Sequence, residues 1–301
     1  MSFILLLLLS VFHVDLDRHI ALADDVAFEK ELEEGIAAFY ATDWDKALSI
    51  FDELKQMSPN DPRPYFFESM VPFWEYFFIE QRSDLADDFL KKSENAVELS
   101  NKKLENSPDD TTMVLLLSGL HGYRSLVAAG EKRYTVAMRS GVTGFNYTRK
   151  LLSMDSDRPD AQIGRGMFYY MVGSVPREVR WVTNAIGIRA DKEMGFNELR
   201  KAAESDNPVS SDAKMMLMYL KDKEGKYDEA LVYAQKLTEK HPENVIFIFK
   251  KAEIQEKSGD LDGAVRSYNQ IIDLNNSYLG DLKNRAENKI NELEKLSHNQ
   301  H

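Results

Sequence analysis

Histidines, paired carboxylates and clustered arginines are the side chains here whose types and spacing could support chemistry. Of six histidines, His13 and His19 lie near the N-terminus and His298 and His301 at the other end, leaving His121 and His241 in the body of the chain. Neither sits in an H-E-x-x-H or comparable spacing, which would set two zinc ligands on one helical face. His241 precedes Pro242, where a solvated turn histidine is expected. Cysteine is absent, which removes disulfides, thiolate metal sites, cysteine nucleophiles and a lipid-modified N-terminal cysteine. Acid pairs such as Glu33/Glu34 and Asp87/Asp88 could serve acid–base catalysis, but helices of an acidic chain supply such pairs by default. Gly164-Arg165-Gly166 stands inside a helical pattern rather than after a strand, and no nucleophile elbow or Walker loop occurs. The expectation is no catalytic site, no metal and no cofactor.

Charge is distributed unevenly. The chain carries a formal net charge of −12, which argues against nucleic acid as a partner because phosphate binding needs a basic surface. From His121 to Arg189, however, eleven Lys and Arg stand against five Asp and Glu, so this stretch is six charges positive and the remainder eighteen negative. Arg165, Arg177, Arg180 and Trp181 mark this basic centre. One reading is a surface for anionic headgroups, a cell-wall polymer or an acidic protein segment. The favoured reading is neutralisation by acidic helices of neighbouring repeats.

The elements that must position these groups are helical. "KDKEGKYDEALVYAQKLTEKHPENV" lies over "QEKSGDLDGAVRSYNQIIDLNNSYL", and Gly225/Gly259, Ala230/Ala264 and Pro242/Asn276 are each 34 residues apart. That period is the tetratricopeptide repeat. Gly35, Trp44, Ala47, Phe51 and Pro59 fit the same template near the N-terminus. Clear repeats therefore fall near 26–59, 209–242 and 243–276, with an expanded centre over 111–205. Further helices are predicted over Arg63–Glu80, Asp84–Asn106, 110–130, 133–154 and Asn284–Leu296; strand patterns are absent. The expected fold is all-α, a right-handed tetratricopeptide-like superhelix of about six helix pairs over 24–296, followed by a disordered tail at 297–301.

The centre contains an unusual stretch, "MVGSVPREVRWVTNAIGIRADKEMG". Ser174 and Pro176 suit a helix start, Val179, Val182 and Ile186 recur at helical spacing, Gly187 suits a helix end, and Gly195 suits close approach of a neighbouring helix. The stretch is expected to be a joint between packed helices. With its flanks it resembles the central signature of the inclusion-body-clearance and tetratricopeptide repeat protein 39 family, carried by Gly166, Ser174, Pro176, Gly187, Asp191, Gly195 and Leu199. The resemblance extends over roughly residues 115–275. It implies helical repeats and interaction roles, in clearance of aggregates and lipid-linked processes, and brings no active-site residues with it.

In such repeats the first helix of each pair lines a concave groove. Alignment to the template places Leu32, Ile36, Phe39, Tyr40, Met215, Tyr219, Phe249, Glu253 and Glu256 there. This lining suits an extended or helical apolar segment better than a peptide carboxylate. The expected function is a non-enzymatic scaffold binding a protein or peptide through that groove. The alternative is a membrane-surface or lipid-handling protein binding anionic headgroups through the basic centre. At the N-terminus, Phe3 to Phe12 is apolar over signal-peptide length, and Ala21-Leu22-Ala23 offers a cleavage site before Asp24. Export to a periplasmic or secreted location, with residues 1–23 as signal peptide, is expected; the alternatives are a cytoplasmic or an N-terminally anchored chain.

Overall fold

The computed structural model describes residues 26–154, 158–174, 191–206 and 209–298. All regular structure among them is helical, and successive helices pack as antiparallel neighbours. The pairs are α1 (26–40) with α2 (Trp44–Met57), and α3 (Pro62–Trp74) with α4 (Ser83–Asn106). Next come α5 (Thr111–Gly130) with α6 (Tyr134–Met154), and α7 (Pro159–Gly173) with α8 (Lys192–Ala203). The last two are α9 (Ser210–Lys223) with α10 (Tyr227–Lys240), and α11 (Val245–Ser258) with α12 (Leu261–Leu274). A final helix, α13 (Gly280–His298), covers α12. The architecture is the all-α array of six pairs that the period implies.

Local sequence explains where helices begin. Asp43, Asp61, Asp110, Asp191, Asn244 and Asp260 each stand before a helix and accept a backbone N–H of its first turn, satisfying donors that have no intrahelical partner. The helix predicted over Arg63–Glu80 is present, with Glu75–Ile79 continuing α3 as a π-turn beyond Pro72, which lacks a backbone donor. At the other end α13 runs to His298, past the boundary drawn at residue 297.

One turn geometry recurs. Thr42, Lys132, Gly225 and Gly259 all have positive φ, from 58° to 89°. In each case the next residue's N–H returns to a carbonyl five positions back: Asp43 to Ala38, Arg133 to Ala128, Lys226 to Lys221, Asp260 to Gln255. Ala47, Ala137, Ala230 and Ala264 follow at the same interval, all buried. The α5/α6 hairpin therefore carries the turn of the three repeats legible in the sequence, with lysine where glycine is the easy residue.

Packing between partners is close. A Cβ on Gly35 would lie 2.7 Å from Phe51 Cε1. Between α7 and α8, Gly166 and Gly195 face each other; a Cβ on Gly195 would lie 2.7 Å from the Gly166 carbonyl oxygen and from the Tyr170 nitrogen. The expected close approach at Gly195 is thus present, between two glycines of the family-like signature.

The array also closes on itself. The turn after α1 docks against the turns before α11 and after α12. Asn244 donates its side-chain amide to the Tyr40 carbonyl at 2.7 Å, and the Val245 N–H reaches Thr42 Oγ1 at 3.3 Å. Asn276 donates to the Thr42 carbonyl at 2.8 Å. Ser277 bonds Asp45 at 3.0 Å, and Arg285 pairs with Glu80 at 2.7 Å. Trp44 packs on Tyr278 with ring centroids 5.3 Å apart, and Trp74 on Phe247 at 5.4 Å.

Candidate functional site

Seven of the nine residues expected to line the groove, all but Glu253 and Glu256, belong to or pack against one core cluster instead of lying along an open face. Leu32, Phe39, Met215 and Phe249 are buried in the core. For these four the expected open lining is corrected: they belong to the main apolar core cluster and are out of water, Phe249 against Tyr268 of the next helix at 5.8 Å. Ile36, Tyr40 and Tyr219 are half-buried against the same core. Tyr40 meets Phe39 and Trp74 edge-on and stacks on His241 at 5.0 Å, while Phe77 packs on Tyr219 at 4.3 Å. Glu253 is paired with Lys250 at 2.7 Å. Glu256 accepts from the Tyr268 hydroxyl and pairs with Lys289 at 3.2 Å.

A polar group sits beside these rings. The Tyr40 hydroxyl donates to Asp212 Oδ1 at 2.7 Å. Loss of hydration pushes the Asp212 carboxyl up to about 6, outweighing the Tyr40 hydrogen bond and the Lys240 charge that favour ionisation. His241 Nε2 lies 3.1 Å from Ser211 Oγ, which also receives Lys240 Nζ at 2.9 Å. Burial, with the nearby Lys240 and Lys214 charges, pulls the His241 imidazole down to about 4. His241 is therefore a packed, neutral ring, not the solvated turn residue expected. The cluster holds a protonatable carboxyl and a histidine that resists protonation. It shows no group of three or more His, Asp or Glu placed to hold a metal, nor does any other part of the described residues.

Sequence reasoning did not nominate Asp212, Ser211 or Lys240, because their meeting with Tyr40 depends on closure. It did contain a signal. Asn276 stands where the preceding repeat has Pro242, and Thr42 where the two C-terminal repeats have Gly225 and Gly259; these two departures from the template touch.

In the basic centre Arg124, Arg133 and Arg165 are paired across helices, while Arg139 and Arg149 are exposed. Arg124 reaches Glu94 at 2.8 Å and the Leu90 carbonyl at 2.7 Å. Arg133 pairs with Asp87 at 2.6 Å, and Arg165 with Glu198. Local neutralisation accounts for these three. Arg177, Arg180 and Trp181, with Val179, Val182, Ile186 and Gly187, lie outside the described residues. A shallow depression of about 440 Å³ lies between α7 and α8, lined by Tyr169, Met194, Asn197, Glu198, Arg200, Lys201 and Glu204, apart from the closing cluster.

Paired antiparallel helices, four of the pairs joined by the same left-handed turn with a buried alanine five residues on, define a helical-repeat fold of the tetratricopeptide type. The family model for Iml2/Tetratricopeptide repeat protein 39 matches residues 160–280, starting later than the stretch of resemblance read from the sequence. Over these residues the chain resembles that family, and its helical pairs form a tetratricopeptide-like array. Among solved structures, a tetratricopeptide repeat protein from Parabacteroides merdae is similar over 89% of this chain and 92% of its own, at 13% identity and a TM-score of 0.34.

Proposed function

We propose that this chain is a non-enzymatic scaffold that binds a protein or peptide, and that its concave groove becomes available to such a partner when the N-terminal pair moves off the C-terminal repeats. The observation that supports this reading is the array of stacked helix pairs, an architecture whose successive repeats expose extended surfaces. The groove residues sit under a contact made of a few turn hydrogen bonds and aromatic edges. Each hydrogen bond of this kind contributes about 1 kcal/mol net, and opening also exposes Trp44 and Trp74, buried in the contact, so a partner must offer apolar surface in exchange.

The chain has no cysteine, so Asp45→Cys with Ser277→Cys creates a single pair that a short thiol-specific linker can lock. Partners recovered with the open-competent chain, identified by mass spectrometry, should be lost from the locked chain and return when the linker is cleaved. Equal recovery by locked and unlocked forms would remove the groove from the account. An exported chain should in addition begin near Asp24 and fractionate outside the cytoplasm; an intact N-terminus on cytoplasmic protein would reverse that expectation.

A further inference from the structure

The outer face of α6 is unlike the rest of the surface. Tyr134, Met138 and Val142 are 67%, 68% and 56% exposed, and Val136 is 41% exposed. Single exposed apolar residues are ordinary, but a contiguous set is not. Spaced four apart, Tyr134, Met138 and Val142 form a ridge about 12 Å long at 1.5 Å per residue. Arg139 and Arg149 are exposed beside it, about 15 Å apart along the axis. Between Tyr134 and Met154 there is no Asp or Glu at all, in a chain of net charge −12. Among the described residues, acids pair with this segment at its ends, where Arg133 meets Asp87 and Lys150 meets Asp109 at 3.8 Å.

We propose that this face docks an acidic amphipathic helix of a partner protein. The partner's apolar row lies along Tyr134, Met138 and Val142, and its flanking carboxylates meet Arg139 and Arg149. A row at spacing four is the ridge that packs between the corresponding rows of a second helix. The face is the outside of one helix, with no strand edge to extend and no cleft to fill, so a helix laid alongside is the mode it offers. Charge selects a protein over a bilayer. Outside His121–Arg189 the chain carries eighteen net negative charges, which an extended anionic surface would repel. A slim helix feels chiefly the local field, since screening confines it to about 8 Å at physiological salt. The surface is distinct from the groove, so its failure would leave the groove reading standing, and the reverse.

The test uses a synthetic helical peptide with leucine at every fourth position flanked by glutamates, its lysine-substituted counterpart, and vesicles containing phosphatidylglycerol. The acidic peptide should bind the full chain. Met138→Glu with Val142→Glu should weaken it by about tenfold or more, as should Arg139→Glu with Arg149→Glu, while the lysine peptide should fail to bind wild type and gain binding to the charge-reversed Arg139→Glu, Arg149→Glu variant. Unchanged circular dichroism separates lost binding from lost folding, and these exposed positions should permit that. Equal binding of the acidic peptide to wild type and variants would overturn the proposal. So would vesicle binding through the same residues without peptide binding, which would point to a lipid surface. Hydroxyl-radical footprinting should find Tyr134 and Met138 reactive in the free chain; their protection there would mean that another part of this chain already covers the ridge.

Discussion

Asn276 donates its side-chain amide to the carbonyl of Thr42 at 2.8 Å, across 234 residues. Thr42 is fully buried with φ 58°, a left-handed conformation that is sterically costly for a β-branched residue. Its Oγ1 receives the Val245 N–H at 3.3 Å, and Asn276 also accepts the Leu279 N–H at 2.8 Å. The threonine thus does what glycine at the same turn could not: it offers a hydroxyl to the far end of the array.

A matched pair of substitutions isolates that role. Lys132 has the same backbone conformation, at φ 59°, but is exposed. Lys132→Gly should therefore stabilise, by about 1 kcal/mol or less, because relief of the left-handed strain slightly exceeds the entropic cost of glycine. Thr42→Gly relieves similar strain but leaves the Val245 N–H buried without its partner, a loss of about 1–3 kcal/mol. Urea midpoints should move in opposite directions. Movement of both to higher urea would mean that the Thr42 hydroxyl contributes nothing to closure.

Glycines supply a second contrast. Gly195→Ala should cost about 1–3 kcal/mol by overpacking the α7–α8 crossing, since the new methyl would meet backbone atoms of Gly166 and Tyr170 at 2.7 Å. Gly122 lies inside α5 and a Cβ there meets nothing within 4 Å. Gly122→Ala should stabilise by about 0.5–1 kcal/mol through helix propensity alone. Thermal melts of the two variants on either side of wild type would support this packing; a neutral Gly195→Ala would show that the two helices do not meet so closely.

How legible these features were depends on how local they are. The period of 34, the small residues at Ala47, Ala230 and Ala264, and the approach at Gly195 follow from contacts within or between adjacent pairs, so they leave a pattern in the sequence. The α5/α6 repeat was obscured because Lys132 replaces glycine, although Tyr134 and Ala137 keep the spacing of Tyr227 and Ala230. Closure joins residues from 142 positions apart, as in Phe77 and Tyr219, to 234, as in Thr42 and Asn276, and no periodicity encodes it. For that reason Phe39 and Met215 could be assigned to the correct helices and still be placed on an open face. The side chains that make closure specific, Thr42 and Asn276, are visible in the sequence only as exceptions to the repeat.

The Tyr40–Asp212 pair gives closure a pH dependence whose sign can be worked out. Asp212 rises from 3.8 to about 6 in the folded chain. The fold thus favours its neutral form: its contribution is full below 3.8 and is lost as pH rises through 6. His241 and His121 fall from 6.5 to about 4, both mainly by burial. Their contributions are full above 6.5 and are lost as pH falls toward 4. Acidification from pH 7 to 4 therefore sets one carboxyl that stabilises against two histidines that destabilise, and wild type should lose stability on balance. Asp212→Asn keeps an oxygen to accept the Tyr40 hydroxyl but cannot ionise. The variant should melt above wild type at pH 8, the gap should narrow through pH 6, and it should vanish near pH 4. His241→Phe should remove part of the acid loss and leave the behaviour at pH 8 nearly unchanged, apart from the Ser211 contact. Melting temperatures of the three proteins across this range provide the measurement. A gap between Asp212→Asn and wild type that does not change with pH would mean that Asp212 is hydrated, and that its meeting with Tyr40 does not take place in a closed interior.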